Sequence, residues 1–266
     1  MSSNTQVGFE SLGLSQVALN AVARMGFEKP TPIQVSAIPP ALAGKDVIGC
    51  AATGTGKTAA FVLPMLARLA GKKGTRGLIL APTRELVEQI AEQLDLLGAG
   101  SGIRSATIIG GVGMGNQEQA LRRGHEVIIA TPGRLLDHMD RGTANLSGIE
   151  MLVLDEADRM LDMGFRPQLT RVLAKVPKVR QTMLFSATMA GEVAQFSAQA
   201  LKNPVKVEVA RSGVTAERAE QRVFMCGQDE KMPLLLTLLA AGDDSTLIFT
   251  RTKHRADRVA RQIERA

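Results

Sequence analysis

The sequence predicts a doubly wound α/β fold, a mostly parallel sheet with helices on both faces, followed by the start of a second unit. From Asp46 to Val209, short apolar runs alternate with stretches whose apolar residues recur at helical spacing. The apolar runs are mostly continuous rather than alternating with polar residues, as expected where helices cover both faces of a parallel sheet. Connections between them are short, so the units read as βαβ crossovers.

In order, the strand candidates are residues 47–50, 77–81, 105–109, 126–130, 151–154, 182–185 and 205–209. A helix over 85–97 is the clearest of the intervening segments, with Leu86, Ile90, Leu94 and Leu97 on one face. Pro64 lies inside the helix that follows the first strand and predicts a kink there. Residues 210–220 (ARSGVTAERAE) are polar and have no periodic apolar face, which predicts a linker. The domains expected are therefore 1–210, a linker over 211–220, and an incomplete second unit over 221–266. In that unit a strand at 221–226, a helix at 231–241, a strand at 246–249 and a basic helix at 252–266 are expected. So few elements bury little surface, and apolar faces should be left uncovered.

Composition excludes several classes. No apolar run approaches the roughly 18 residues needed to cross a bilayer, and residues 1–10 lack the profile of a secretory signal. Two cysteines and three histidines, without ligand spacing, speak against a disulfide framework or a zinc site and for a reducing cytoplasm. Basic residues outnumber acidic ones 32 to 26, a balance compatible with nucleic acid. There is no Trp or Tyr and only 8 Phe, so stacking platforms are unavailable and a nucleic acid would be held by phosphates and sugars.

Ala51-Ala52-Thr53-Gly54-Thr55-Gly56-Lys57-Thr58 follows a strand and opens a helix. Gly54 and Gly56 would let backbone N–H groups approach phosphate oxygens. Lys57 would reach the β- and γ-phosphates, and the Thr58 hydroxyl would ligate Mg2+. Ala51 stands where the usual motif has its first glycine. The buried run ending in Asp155-Glu156-Ala157-Asp158 places carboxylates at the same sheet edge. Asp155 would hold Mg2+ through water, and Glu156 would orient and deprotonate an attacking water. Together these runs specify a nucleoside triphosphatase. Pro82-Thr83-Arg84, Gly110-Gly111, Thr131-Pro132-Gly133-Arg134 and Ser186-Ala187-Thr188 each follow a strand, and so open on that edge too. The first three would make a groove for a phosphodiester backbone. Taken singly each is a capped turn, Thr83 a plain N-cap for instance. Ser186 and Thr188 could couple the two sites through their hydroxyls.

These runs, in this order, resemble the DEAD-box ATP-dependent RNA helicases. The phosphate loop has that family's A-x-T-G-x-G-K-T form, and residues 26–34 (GFEKPTPIQ) resemble its Q motif, with Phe9 upstream. Residues 82–86, 110–111, 131–134 and 186–188 resemble its motifs Ia, GG, Ib and III, and 247–252 (LIFTRT) its motif IV. The opening residues 9–14 resemble a bacterial, RhlE-like branch. The resemblance implies a RecA-like P-loop fold with a partial second RecA-like unit, ATP and Mg2+ as cofactors, and RNA as partner. It implies that Gln34 hydrogen-bonds adenine while Phe9 packs on the ring. It implies that the Ia, GG and Ib residues hold RNA, and that Ser186 and Thr188 link ATP state to strand opening, with Asp158 as partner. Ribosome assembly and RNA decay both fit such a protein. The family's H-R-x-G-R-x-x-R run does not occur in these 266 residues, so weak nucleotide binding and very slow turnover by the chain alone are expected. A DNA translocase and a non-catalytic RNA-binding regulator are the alternatives.

Overall fold

A computed structural model describes residues 7–209, 222–242 and 245–265. The chain divides into two compact units, 1–212 and 213–266. The linker expected at 210–220 lies outside the described residues, as do Gln221 and Ala266.

The first unit begins with a 3-10 turn, Phe9–Leu12, and helices α1 (Gln16–Arg24) and α2 (Pro32–Leu42). Strand and helix then alternate: β1 (Val47–Cys50), α3 (Lys57–Leu69), β2 (Gly77–Leu80), α4 (Arg84–Leu97), β3 (Ser105–Ile108), α5 (Met114–Arg123), β4 (Val127–Ala130), α6 (Pro132–Asp140) and β5 (Met151–Leu154). After β5 come α7 (Ala157–Asp162), α8 (Arg166–Lys175), β6 (Gln181–Ser186), α9 (Glu192–Ala200) and β7 (Val205–Glu208). All seven expected strands form, each within a residue of its expected ends. The helix expected at 85–97 is α4, and Thr83 caps it by accepting the Leu86 N–H at 3.3 Å. Pro64 is buried, and α3 runs through it without a break.

The sheet order is β3-β4-β2-β5-β6-β1-β7, and every neighbouring pair is parallel. Successive strand residues alternate between two cores. Val47, Ile79, Val153, Met183 and Phe185 pack with residues of α1 to α4. Ile48, Leu78, Leu80, Leu152, Leu154 and Leu184 pack with residues of α6 to α9. Helices therefore cover both faces, which explains the continuous apolar strands. Phe185 and Phe61 meet at a centroid distance of 5.4 Å, and a Cβ at Gly49 would strike the Phe185 ring. Buried Asp46, just before β1, accepts the Thr182 N–H at 2.7 Å and the Lys202 N–H at 2.6 Å, tying both neighbours of β1 to its start. Because all strands run one way, the loops after β1 to β6 open on a single edge.

In the second unit the expected helices form as α10 (Lys231–Ala240) and α11 (Lys253–Ile263), the latter capped by Thr252. The expected strands do not: among the described residues, neither 222–226 nor 246–249 is a strand. Such a pair needs helices packed on it, yet neither α10 nor α11 has a buried residue, and Leu247 and Phe249 are 78% and 87% exposed. No helix among the described residues is long and apolar enough to cross a membrane.

Candidate nucleotide and nucleic-acid site

The loop between β1 and α3 has the geometry its glycines require. Gly54 and Gly56 take φ of 79° and 87°, left-handed values open to glycine. The loop ends at the N-terminus of α3, where unpaired N–H groups and the helix dipole favour an anion. Lys57 is buried, and its Nζ donates to the Ala51 carbonyl at 3.1 Å, so the lysine spans the loop it serves. The Thr55 hydroxyl donates to the Ala52 carbonyl at 2.8 Å. Ala52 and Thr58 are half-buried, and Thr53 and Gly54 are exposed at the tip.

Gln34, in the first turn of α2, braces this loop. Its Oε1 accepts the Thr31 N–H at 2.9 Å, and its Nε2 donates to the Gly56 carbonyl at 3.1 Å. One N–H and one acceptor site of the amide remain for a ligand. Phe9 packs in the core with 4% of its surface exposed, so little of its ring is open to a base.

Asp155 directly follows β5 and is buried. Burial pushes its carboxyl up to about 6, Lys57 opposes that shift, and Glu156 and Asp158 add to it. A buried carboxylate that leans on one lysine and faces two more acids is a place where a cation is favoured. Its oxygens, with the Thr58 hydroxyl on α3, are the hard donors that suit Mg2+. Among the described residues no three acidic, histidine or cysteine side chains gather as a metal cage.

Glu156 has φ 50° and ψ 52°, left-handed for a residue with a side chain. Asn203 is the other such residue among those described. The strain is stored at the residue expected to activate water. The Glu156 N–H donates to Asp155 Oδ1 at 3.0 Å, and its carboxylate pairs with Arg159 at 3.2 Å. Asp158, one residue into α7, reaches the loop after β6. There its Oδ2 accepts the N–H groups of Ala187 at 3.0 Å and Thr188 at 3.1 Å, with the Thr188 hydroxyl at 3.4 Å. The Ser186 hydroxyl, fully buried, donates to the Thr188 carbonyl at 2.7 Å.

Farther along the same edge, Arg84, Gly110, Gly111 and Arg134 converge. A Cβ at Gly111 would come within 3.1 Å of the Arg84 Cζ, so that guanidinium lies over the glycine. Arg134 donates from Nη1 to the Val112 carbonyl at 2.9 Å and pairs with Asp137 at 3.5 Å. Pro82, Thr131 and Pro132 are buried behind this rim, Gly133 is half-buried, and Arg84 is exposed. Sequence reasoning missed Gln117, which is buried and bonded to the same loop, and the conformation of Glu156. A polar residue in the mostly polar helix α5 gives no sign that it is buried.

Residues 31–196 match the model of the DEAD/DEAH box helicases, and the chain belongs to that family. It is 45% identical over 258 residues to the ATP-dependent rRNA helicase RRP3 of Mycosarcoma maydis, an alignment covering 96% of this chain and 46% of that protein. It is 41% identical over 257 residues to the DEAD-box ATP-dependent RNA helicase CshA of Geobacillus kaustophilus, covering 96% and 55%. The crystal structure of a DEAD box protein from Methanococcus jannaschii superposes with a TM-score of 0.74 at 34% identity, over 97% of this chain and 70% of that one. The chain spans about half the length of the curated relatives it matches. Fungal and bacterial relatives are similarly close, and single out no bacterial branch.

Proposed function

We propose that this chain carries the ATP- and RNA-binding half of an ATP-dependent RNA helicase, in which nucleotide binding and hydrolysis drive local opening of a duplex. One observation carries the reading: the phosphate loop with Lys57 and Asp155, and the arginine-glycine rim of Arg84, Gly111 and Arg134, lie on one edge of one sheet. Family membership supports it.

In this reading the loop amides from Ala52 to Lys57 cradle the phosphates, and the Lys57 ammonium leaves the Ala51 carbonyl for a phosphate oxygen. Gln34 offers its remaining amide groups to adenine. A base with the wrong edge would leave them unpaired, which selects for ATP. Thr58 and Asp155 would hold Mg2+, which supplies charge neutralisation at the phosphates. Glu156 accepts a proton from the attacking water. The rim offers arginines, glycine amides and the Thr83 and Thr131 hydroxyls, groups that hold phosphates and sugars rather than base edges. RNA, rather than DNA, is assigned on the strength of the relatives' names. Asp158 joins the carboxylate run to the loop at 186–188, which makes that loop sensitive to what the nucleotide does.

The test is ATP turnover with and without single-stranded RNA or DNA, in the natural full-length protein beside Lys57→Ala and Glu156→Gln. The reading expects RNA to stimulate and both substitutions to abolish turnover. Equal stimulation by DNA would replace RNA as the substrate, and unchanged turnover in both variants would remove the site.

A further inference from the structure

Gln117 lies on α5, away from the phosphate loop, and its exposure is 5%. A buried amide must find partners, and all three found here are backbone groups of one short loop. Its Oε1 accepts the Ile109 N–H at 3.1 Å; its Nε2 donates to the Ile109 carbonyl at 3.1 Å and the Gly113 carbonyl at 3.3 Å. The amide therefore closes residues 109–113 into a ring at the end of β3. Of the residues between the pinned ends, Gly110 is half-buried and Gly111 and Val112 are exposed, so burial does little to fix them.

Two of these residues, Gly111 and Val112, meet the two arginines of the rim. Arg84 lies over Gly111, and Arg134 donates to the Val112 carbonyl. Arg84 comes from the start of α4 and Arg134 from the first turn of α6, so the loop is the shared surface that sets the distance between two cations from different elements. We propose that Gln117 is a positioning residue for the nucleic-acid grip: by fixing the 109–113 loop it places Arg84 and Arg134 to engage phosphates together. This rests on the RNA reading above. Gln117 touches no phosphate in this account; it acts through the loop.

The test uses Gln117→Met, which keeps the volume and removes every hydrogen bond, and Gln117→Glu, which keeps the acceptor and removes both donations. Affinity for single-stranded RNA is measured as a function of salt, beside affinity for a fluorescent ATP analogue. Amide hydrogen exchange at Ile109 reports the loop directly. Both variants should weaken RNA binding by about tenfold or more and lower the salt slope, because each lost phosphate contact on a single strand removes about 0.7 from it. Nucleotide affinity should stay within about twofold, and Ile109 exchange should quicken in Gln117→Met. In an Arg84→Ala/Arg134→Ala background the Gln117 effect on RNA should nearly vanish, since residues acting as one unit are not additive. Unchanged RNA affinity in either variant overturns the inference, as does an equal loss in the arginine-free background. If Gln117→Met does not fold, Gln117→Glu decides by the same criteria. Failure of the unaltered protein to bind RNA would overturn the RNA reading itself, and this inference with it.

Discussion

Asp158 and Thr188 join two strand ends: one carboxylate oxygen of Asp158 accepts the Thr188 N–H at 3.1 Å and stands 3.4 Å from the Thr188 hydroxyl. The first residue belongs to the acidic run after β5, the second to the loop after β6. The acidic run and the loop at 186–188 are therefore tied directly to each other.

Removing that acceptor separates the two strand ends while leaving the phosphate loop intact. Asp158→Ala strands the Ala187 N–H, while the Thr188 N–H keeps the Ser186 Oγ at 3.3 Å, a loss of order 1 kcal/mol in local stability. ATP affinity should hold within a few-fold, and duplex opening by the full-length protein should fall by at least tenfold. Parallel nucleotide-binding and strand-displacement assays check it; equal losses in both would contradict the link.

The left-handed backbone of Glu156 gives an opposite pairing of stability and activity. Glu156→Gly relieves a conformation that costs about 1–2 kcal/mol in residues with a Cβ. It also loses the carboxylate. Urea unfolding should show a variant at least as stable as the parent, with ATP turnover abolished; Glu156→Gln should lose turnover without the relief.

Gly56 tolerates no side chain, for two reasons. Its φ is 87°, and a Cβ there would lie 2.6 Å from Gln34 Nε2 and 3.1 Å from Thr31 Oγ1. Gly56→Ala should cost about 1–3 kcal/mol and push Gln34 off the loop, weakening ATP binding about tenfold or more. Denaturation and nucleotide titration of the same sample check both effects.

How far the molecule was legible beforehand follows from what each feature depends on. Continuous apolar strands such as 151–154 announce a sheet covered on both faces, and Gly54, Gly56 and Lys57 announce the phosphate loop by local chemistry alone. The segment 246–249 is also mostly apolar but forms no strand, because a strand needs neighbours and, among the described residues of the second unit, nothing buries it. Asp46 is illegible because its partners, the N–H groups of Thr182 and Lys202, are distant in sequence; those of Gln117 lie only four and eight residues upstream, but nothing in the mostly polar α5 marks it as the buried residue. Phe9, expected to pack on the base, lies in the core with 4% of its surface exposed.

Asp155 makes stability depend on pH with a definite sign. Its carboxyl is raised from 3.8 to about 6 in the fold, chiefly by burial. Between those values the folded protein keeps a proton that the unfolded chain releases, so stability falls as pH rises through that window and stays lower above it. Asp155→Asn abolishes this dependence. In nucleotide-free protein the variant should gain about 3 kcal/mol over the parent at pH 7.5 and about nothing at pH 3.5, as urea midpoints at the two values would show.

The most direct measurement is a calorimetric titration of this 266-residue chain with ATP and magnesium, beside Lys57→Ala. A triphosphate seated on the amides before Lys57 requires saturable one-to-one binding by the parent and a loss of at least about tenfold in the variant. Equal affinity in both proteins would contradict the account.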